Sequence, residues 1–152
     1  MTKSPERASF FKELAGKAKA AHCFIYNPDQ PISVNTNRLE IGQPTLTHTG
    51  WGVNEQQVWL EFYCLDKRMT AIHAKENSER FQKLFSHKEE IERTFGESLI
   101  WDFDPTRIKQ SVISRTSVAA TVYNQYMWGK IQDDLVERTT RLGAALKPFL
   151  VG

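Results

Sequence analysis

Residues 57–65, QVWLEFYCL, decide the fold, because they combine high β propensity with an alternation of two residue sets. The two sets are Val58, Leu60, Phe62 and Cys64 on one side and Trp59, Glu61 and Tyr63 on the other. A second β-like segment spans residues 46–53, and Asn54 and Glu55 separate the two segments. The pattern predicts an antiparallel hairpin. Neither side of its second strand is polar, so that strand needs cover on both faces.

Three helices are predicted around this hairpin, over residues 5–20, 77–95 and 122–147. The first begins after Ser4, whose hydroxyl can cap free amide groups, with Pro5 in the first turn. The second has Phe81, Leu84, Phe85, Ile91 and Phe95 at helical spacing, and we expect all five to be buried against the hairpin. Gly96 follows where a left-handed cap is needed. The third repeats apolar residues at three- and four-residue steps.

Two further strands, 99–103 and 108–116, are predicted on either side of a turn at residues 104–107, which contain Pro105. Residues 22–44 have a looser pattern, which indicates only irregular structure or an edge strand. The predicted order is α-β-β-α-β-β-α. We expect a single α+β domain over residues 1–152, with an antiparallel sheet, three helices and a sheet-and-helix body at 45–116.

Composition and charge exclude several classes of protein. The chain has 152 residues, of which 40% are apolar and 25% charged, which is typical of one globular domain. The formal net charge of +2 is too small to indicate duplex binding by itself. Two cysteines do not make a disulfide framework, and no apolar run reaches the length of a membrane span. We therefore expect a cytoplasmic protein with no membrane association.

The residue patterns of common catalytic sites are missing from the sequence. A restriction-type nuclease needs an Asp/Glu-x-Lys element to hold a divalent metal, and no acidic residue has a lysine two positions later. The four histidines and two cysteines lack the close pairs of a zinc site. No glycine-rich phosphate loop is present, so no cofactor or metal is expected. Cys64 and His73 could pair as a nucleophile and base, but a buried core thiol is the simpler interpretation of Cys64.

Aromatic and basic residues supply the candidates for binding. A nucleic-acid hypothesis uses His48, Trp51, Lys67, Arg68 and Arg115, with Trp51 between two glycines as an exposed stacking surface. The ordinary interpretation of Gly50-Trp51-Gly52 is a bend in the strand.

A second hypothesis concerns Trp59 and Tyr63. If the helices leave their side of the strand uncovered, these residues form an exposed aromatic patch, and a symmetric homodimer is the simplest partner for it. A different protein partner is also compatible with such a patch.

Three segments resemble the bacterial family named domain of unknown function 4268. They are VWLEFY at 58–63, FQKLFSHKEEIE at 81–92 and FGESLIWD at 95–102. The resemblance implies a bacterial source. In many members this domain follows a segment similar to a restriction-type nuclease, which implies a role in DNA processing or defence. The resemblance carries over no catalytic residue. We expect a non-enzymatic binding or accessory module, and the alternative is a metal-dependent nuclease or other enzyme.

Overall fold

The computed structural model describes residues 5–21, 32–34, 38–41, 47–53, 57–64, 71–115 and 125–150. Its helices are α1 (Pro5–Ala21), α2 (Ala71–Phe85), α3 (Lys88–Phe95) and α4 (Trp128–Leu150), and a short 3₁₀ turn, Gln125–Met127, leads into α4. Its strands are β1 (Ile32–Val34), β2 (Arg38–Ile41), β3 (Thr47–Val53), β4 (Val58–Cys64), β5 (Ile100–Asp102) and β6 (Gln110–Arg115).

The strands form one antiparallel sheet of six, in the order β1-β2-β3-β4-β6-β5. The predicted hairpin is confirmed as β3 and β4, which pair without interruption from Val53 and Val58 to Thr47 and Cys64. The predicted strands at 99–103 and 108–116 are confirmed as β5 and β6, both a little shorter than expected. Within residues 22–44, β1 and β2 extend the sheet to one edge. The α+β class is therefore confirmed.

All four described helices lie on the same face of the sheet. One core joins the apolar side of β4 to residues from each helix, including Phe10 of α1, Phe81 of α2, Phe95 of α3 and Leu135 of α4. Successive strand residues point to opposite faces. The alternate set of β4, with Trp59, Glu61 and Tyr63, therefore lies on a second face that no described helix covers, which we call the open face.

The helix predicted at 77–95 is two helices, which is a correction. It begins earlier, at Ala71, and is interrupted at Ser86 and His87 before α3 begins. The Ser86 hydroxyl donates to the Lys83 carbonyl at 2.6 Å, a local bond that competes with the helical pattern at the break. The left-handed cap at Gly96 is confirmed, with φ of 93°. Residues 122–124, where the last helix was predicted to begin, lie outside the described residues.

Four of the five apolar residues predicted to be buried on that segment are buried, and Phe85 is the exception at 47% exposed. Phe85 is the last residue of α2 and lies at the margin of its buried stripe. Its ring contacts Trp101 edge-on, with centroids 5.5 Å apart. The rings of Phe85 and of Phe103, which is also exposed, both stack on the ring of Phe81.

Candidate functional site

A shallow depression of about 290 Å³ lies on the open face, across the central strands. Strand register brings its components together, because Trp59 pairs with Arg115 and Glu61 pairs with Ile113. The depression is lined by Gln57, Trp59, Glu61, Asp102, Arg107, Lys109, Ser111, Ile113 and Arg115. These side chains are mainly polar or charged, in contrast to the apolar core on the other face.

Glu61 is a buried carboxylate at the floor of this depression, with only 4% of its surface exposed. The Lys109 ammonium lies 2.8 Å from Oε2 of Glu61, and the Ser111 hydroxyl donates to the same oxygen at 2.6 Å. Burying a charge is costly unless it is paired and hydrogen-bonded, and these contacts satisfy both conditions. Lys109 also lies over the Tyr63 ring, 4.8 Å from its centroid. The negative charge of Glu61 is therefore neutralised within the protein.

The indole of Trp59 is partly buried and lies over the backbone of Gly52 on the neighbouring strand. A Cβ atom at position 52 would be 2.4 Å from Cε2 and from Cζ2 of Trp59, so only glycine leaves room for the ring. The indole N–H donates to Oε1 of Glu61 at 3.3 Å. An aromatic ring over a strand glycine is also a common stabilising device in sheets. These two contacts fix the orientation of the ring.

Arg107 neutralises the second carboxylate of the depression, Asp102. Its guanidinium donates two hydrogen bonds to that carboxylate, at 2.9 and 3.2 Å, and this contact raises the pKa of Arg107. Asp104, on the adjacent turn, accepts hydrogen bonds from the hydroxyl and backbone N–H of Thr106, which lower the pKa of the Asp104 carboxyl. In the described part of the chain, no group of three or more His, Cys, Asp or Glu side chains is placed to hold a metal ion.

Arg115 is exposed at the end of β6, directly across from Trp59. It makes no ion pair or hydrogen bond through its side chain with the described residues. Of the three basic side chains that line the depression, Arg115 is therefore the one whose charge is directed to solvent, in contrast to Lys109 and Arg107.

The structure brings some of the predicted binding residues together and separates others. Trp59, Tyr63 and Arg115 lie on the open face, and the backbone of His48 pairs with Tyr63. Lys67 and Arg68 lie outside the described residues.

The prediction for Trp51 is wrong. Its side chain is 0% exposed in the core, and its indole N–H donates to the Thr139 hydroxyl of α4 at 3.0 Å. The reason is strand parity, since Trp51 pairs with the core residue Leu60. The register of β3 and β4 continues past the flanking glycines without an unpaired residue, and the expected bend there stays a prediction.

The aromatic patch expected from Trp59 and Tyr63 is not formed in the described structure. Tyr63 is only 3% exposed, partly because Lys109 lies over its ring. Only Trp59 of the pair contributes accessible aromatic surface. Of the two aromatic side chains proposed for a homodimer interface, Tyr63 is therefore not accessible to a partner.

Sequence reasoning missed Glu61, Lys109 and Ser111 as parts of the site. Glu61 did offer a signal, because it is the one charged residue inside an otherwise apolar strand. Its partners are 48 and 50 positions away along the chain, and only the pairing of β4 with β6 brings them close. Cys64 lies on the opposite face as the core thiol that was expected, and burial raises its pKa to about 12.

Over the residues that the structure describes, the fold and this face define an α+β domain with a six-stranded antiparallel sheet, helices on one face and a charged depression on the other. The model of the family described as a domain of unknown function (DUF4268) matches residues 45–150, and the chain belongs to this family. Comparisons with curated proteins and with solved structures gave no match. Among the described residues, none of the helices has the length and apolar character needed to cross a membrane.

Proposed function

We propose that this chain is a non-enzymatic binding module that binds nucleic acid on the open face of its sheet. The observation that carries the proposal is the pairing of charges in the depression. Both carboxylates, Glu61 and Asp102, are neutralised by Lys109 and Arg107, whereas Arg115 beside Trp59 directs its charge to solvent. An exposed cation next to an aromatic ring suits a ligand that combines phosphates with bases.

A binding role fits these side chains better than catalysis does. Metal-dependent hydrolysis needs carboxylates free to coordinate a cation. Asp102 is engaged by Arg107 through two hydrogen bonds, and Glu61 is engaged by Lys109 and Ser111. The resemblance to proteins that carry a restriction-type nuclease segment agrees with a nucleic-acid ligand, and it supports an accessory role in DNA processing or defence.

The proposal includes a cytoplasmic location, where nucleic acid is present and a free thiol such as Cys64 stays reduced. Fractionation of cells that produce the protein tests this location. Recovery in the membrane or secreted fraction would contradict it.

Fluorescence anisotropy with labelled oligonucleotides, measured at several salt concentrations, tests the proposed function. We expect Arg115→Gln to weaken binding and to reduce the slope of log affinity against log salt by about 0.7 for a single strand, since one phosphate contact is lost.

The matched control is Arg93→Gln, which removes the same charge from an exposed position on α3, on the helical side of the sheet. Arg93→Gln should bind like the wild type. Absence of binding to any oligonucleotide at low salt, or equal losses in both variants, would overturn the proposal.

A further inference from the structure

We infer that the open face binds single-stranded nucleic acid, with one unpaired base stacked on the indole of Trp59 and the adjacent phosphate held by Arg115. This inference rests on the proposed function and names its ligand more narrowly. Three observations carry it: the position of β4 within the sheet, the fixed orientation of the indole, and the register between Trp59 and Arg115.

The position of β4 keeps Trp59 out of the major groove of a duplex. β4 is an interior strand, with three strands on one side and two on the other. Strands are about 4.8 Å apart, so the outer strands of this sheet are roughly 24 Å apart. The major groove of B-DNA is about 12 Å wide and admits an α-helix or a two-stranded β-ribbon, not a wider sheet. A sheet of this width therefore does not enter the major groove, and the faces of paired bases are covered by their neighbours in the duplex, so stacking on Trp59 needs an unpaired base.

The indole of Trp59 is preorganised to stack on an unpaired base. It is held over Gly52 and by its N–H bond to Glu61, so little side-chain freedom remains to be lost on binding. It lines the depression and is partly accessible. Bases of any identity stack on such a ring, which predicts weak sequence preference.

The register places a phosphate-binding group next to the stacking group. Arg115 pairs directly with Trp59, and Cβ atoms of paired residues in antiparallel strands are about 4.5–5.5 Å apart. From that position the long arginine side chain can reach beyond the indole toward the phosphate of the stacked nucleotide. Lys109 and Arg107, at the other end of the depression, already form ion pairs with carboxylates and would contribute less to phosphate binding.

The test compares a labelled oligothymidylate, the same strand annealed to oligoadenylate, and a labelled oligouridylate. The variants are Trp59→Leu and the conservative Trp59→Phe, and the matched control is Trp101→Leu. Trp101 is also a partly buried strand tryptophan, but it pairs with the core residue Val112 and so lies on the helical side. Urea unfolding first establishes that each variant is folded.

We expect the wild type to bind the single strand more tightly than the duplex, with quenching of tryptophan fluorescence as the base stacks. Trp59→Leu should weaken single-strand binding roughly 5- to 100-fold, Trp59→Phe should weaken it less, and Trp101→Leu should leave it unchanged. Tighter binding of oligouridylate than oligothymidylate would identify RNA as the ligand, and the reverse would identify DNA.

Two results would overturn the inference while leaving the proposed function intact. One is equal affinity for single strand and duplex, with both weakened by Arg115→Gln. The other is single-strand affinity unchanged in a folded Trp59→Leu variant, which would mean that Trp59 serves only to cover Gly52. Absence of binding to every probe would instead reject the proposed function and the inference together.

Discussion

Replacing Gly52 by alanine tests whether the open face is built around Trp59. The added Cβ would lie 2.4 Å from Cε2 and Cζ2 of the indole, which is far inside normal contact distance. The ring would have to leave its position, or the two strands would have to separate. Gly52 does not have a left-handed backbone conformation, so the expected cost comes from the contact alone.

The change in unfolding free energy that we expect for Gly52→Ala is the balance of two opposing effects. Forcing extra volume into a packed site costs about 1–3 kcal/mol. Replacing glycine by alanine also reduces the freedom of the unfolded chain, which stabilises the folded state by about 0.4–1 kcal/mol. We expect a net loss of about 1–2 kcal/mol, or roughly 2–8 °C in melting temperature for a domain of this size.

Urea denaturation of Gly52→Ala and Gly16→Ala provides the comparison. Gly16 lies within α1, and nothing lies within 4 Å of a Cβ added there, so the same substitution should stabilise by about 0.5–1 kcal/mol. The double variant Gly52→Ala, Trp59→Phe should recover part of the loss, because the smaller phenyl ring lacks the Cζ2 and Nε1 atoms of the indole that the new Cβ would meet. If Gly52→Ala were as stable as the wild type, or if the two substitutions were additive, the reasoning would be refuted.

Four further outcomes are expected. Leu84→Ala should cost about 2–5 kcal/mol in urea unfolding, because Leu84 is buried in the core, and a wild-type value would contradict this. Burial raises the pKa of the Cys64 thiol from 9.0 to about 12, so in that pH window the unfolded chain loses a proton that the folded chain keeps. The wild type should therefore lose stability with rising pH more steeply than Cys64→Ala, and parallel curves would count against it. No magnesium-dependent DNA cleavage is expected, because Arg107 engages Asp102, and cleavage abolished by Asp102→Asn would disprove this. The homodimer stays a prediction, and a monomer in light scattering at tens of micromolar, on the order of the concentrations at which weak dimers form, would contradict it.

The strand pattern could be predicted from sequence because alternation and turns are local signals. Residues 46–53 and 57–65 showed both, and they form β3 and β4. The break between α2 and α3 could not be predicted in the same way. Phe81, Leu84, Ile91 and Phe95 are all buried in one core, so the apolar stripe continues across the interruption at residues 86–87.

Trp51 and Trp59 show why one of the predicted site residues is wrong and the other lies on the open face. Each has a strand position that could be exposed or buried, and periodicity alone does not choose between the faces. The observed pairing of Trp51 with Leu60 assigns Trp51 to the core, and the pairing of Trp59 with Gly52 assigns Trp59 to the open face. Register would have settled both, but register depends on the connection at residues 54–57, which the sequence pattern did not define.

Glu61 acts on the open face by orienting a neighbouring side chain more than by stabilising the sheet. An ion pair between a buried carboxylate and a partly exposed lysine seldom adds much net stability, so the contacts of Glu61 with Lys109 and Ser111 need not explain why a carboxylate is present in an otherwise apolar strand. The same carboxylate accepts the N–H of Trp59 and so fixes the ring that lies beside Arg115. Holding a side chain in its bound orientation raises affinity by lowering the entropy lost on binding. The carboxylate therefore contributes to the open face by orienting Trp59, while its contacts with Lys109 and Ser111 compensate its negative charge, as the phosphate contact proposed for Arg115 requires.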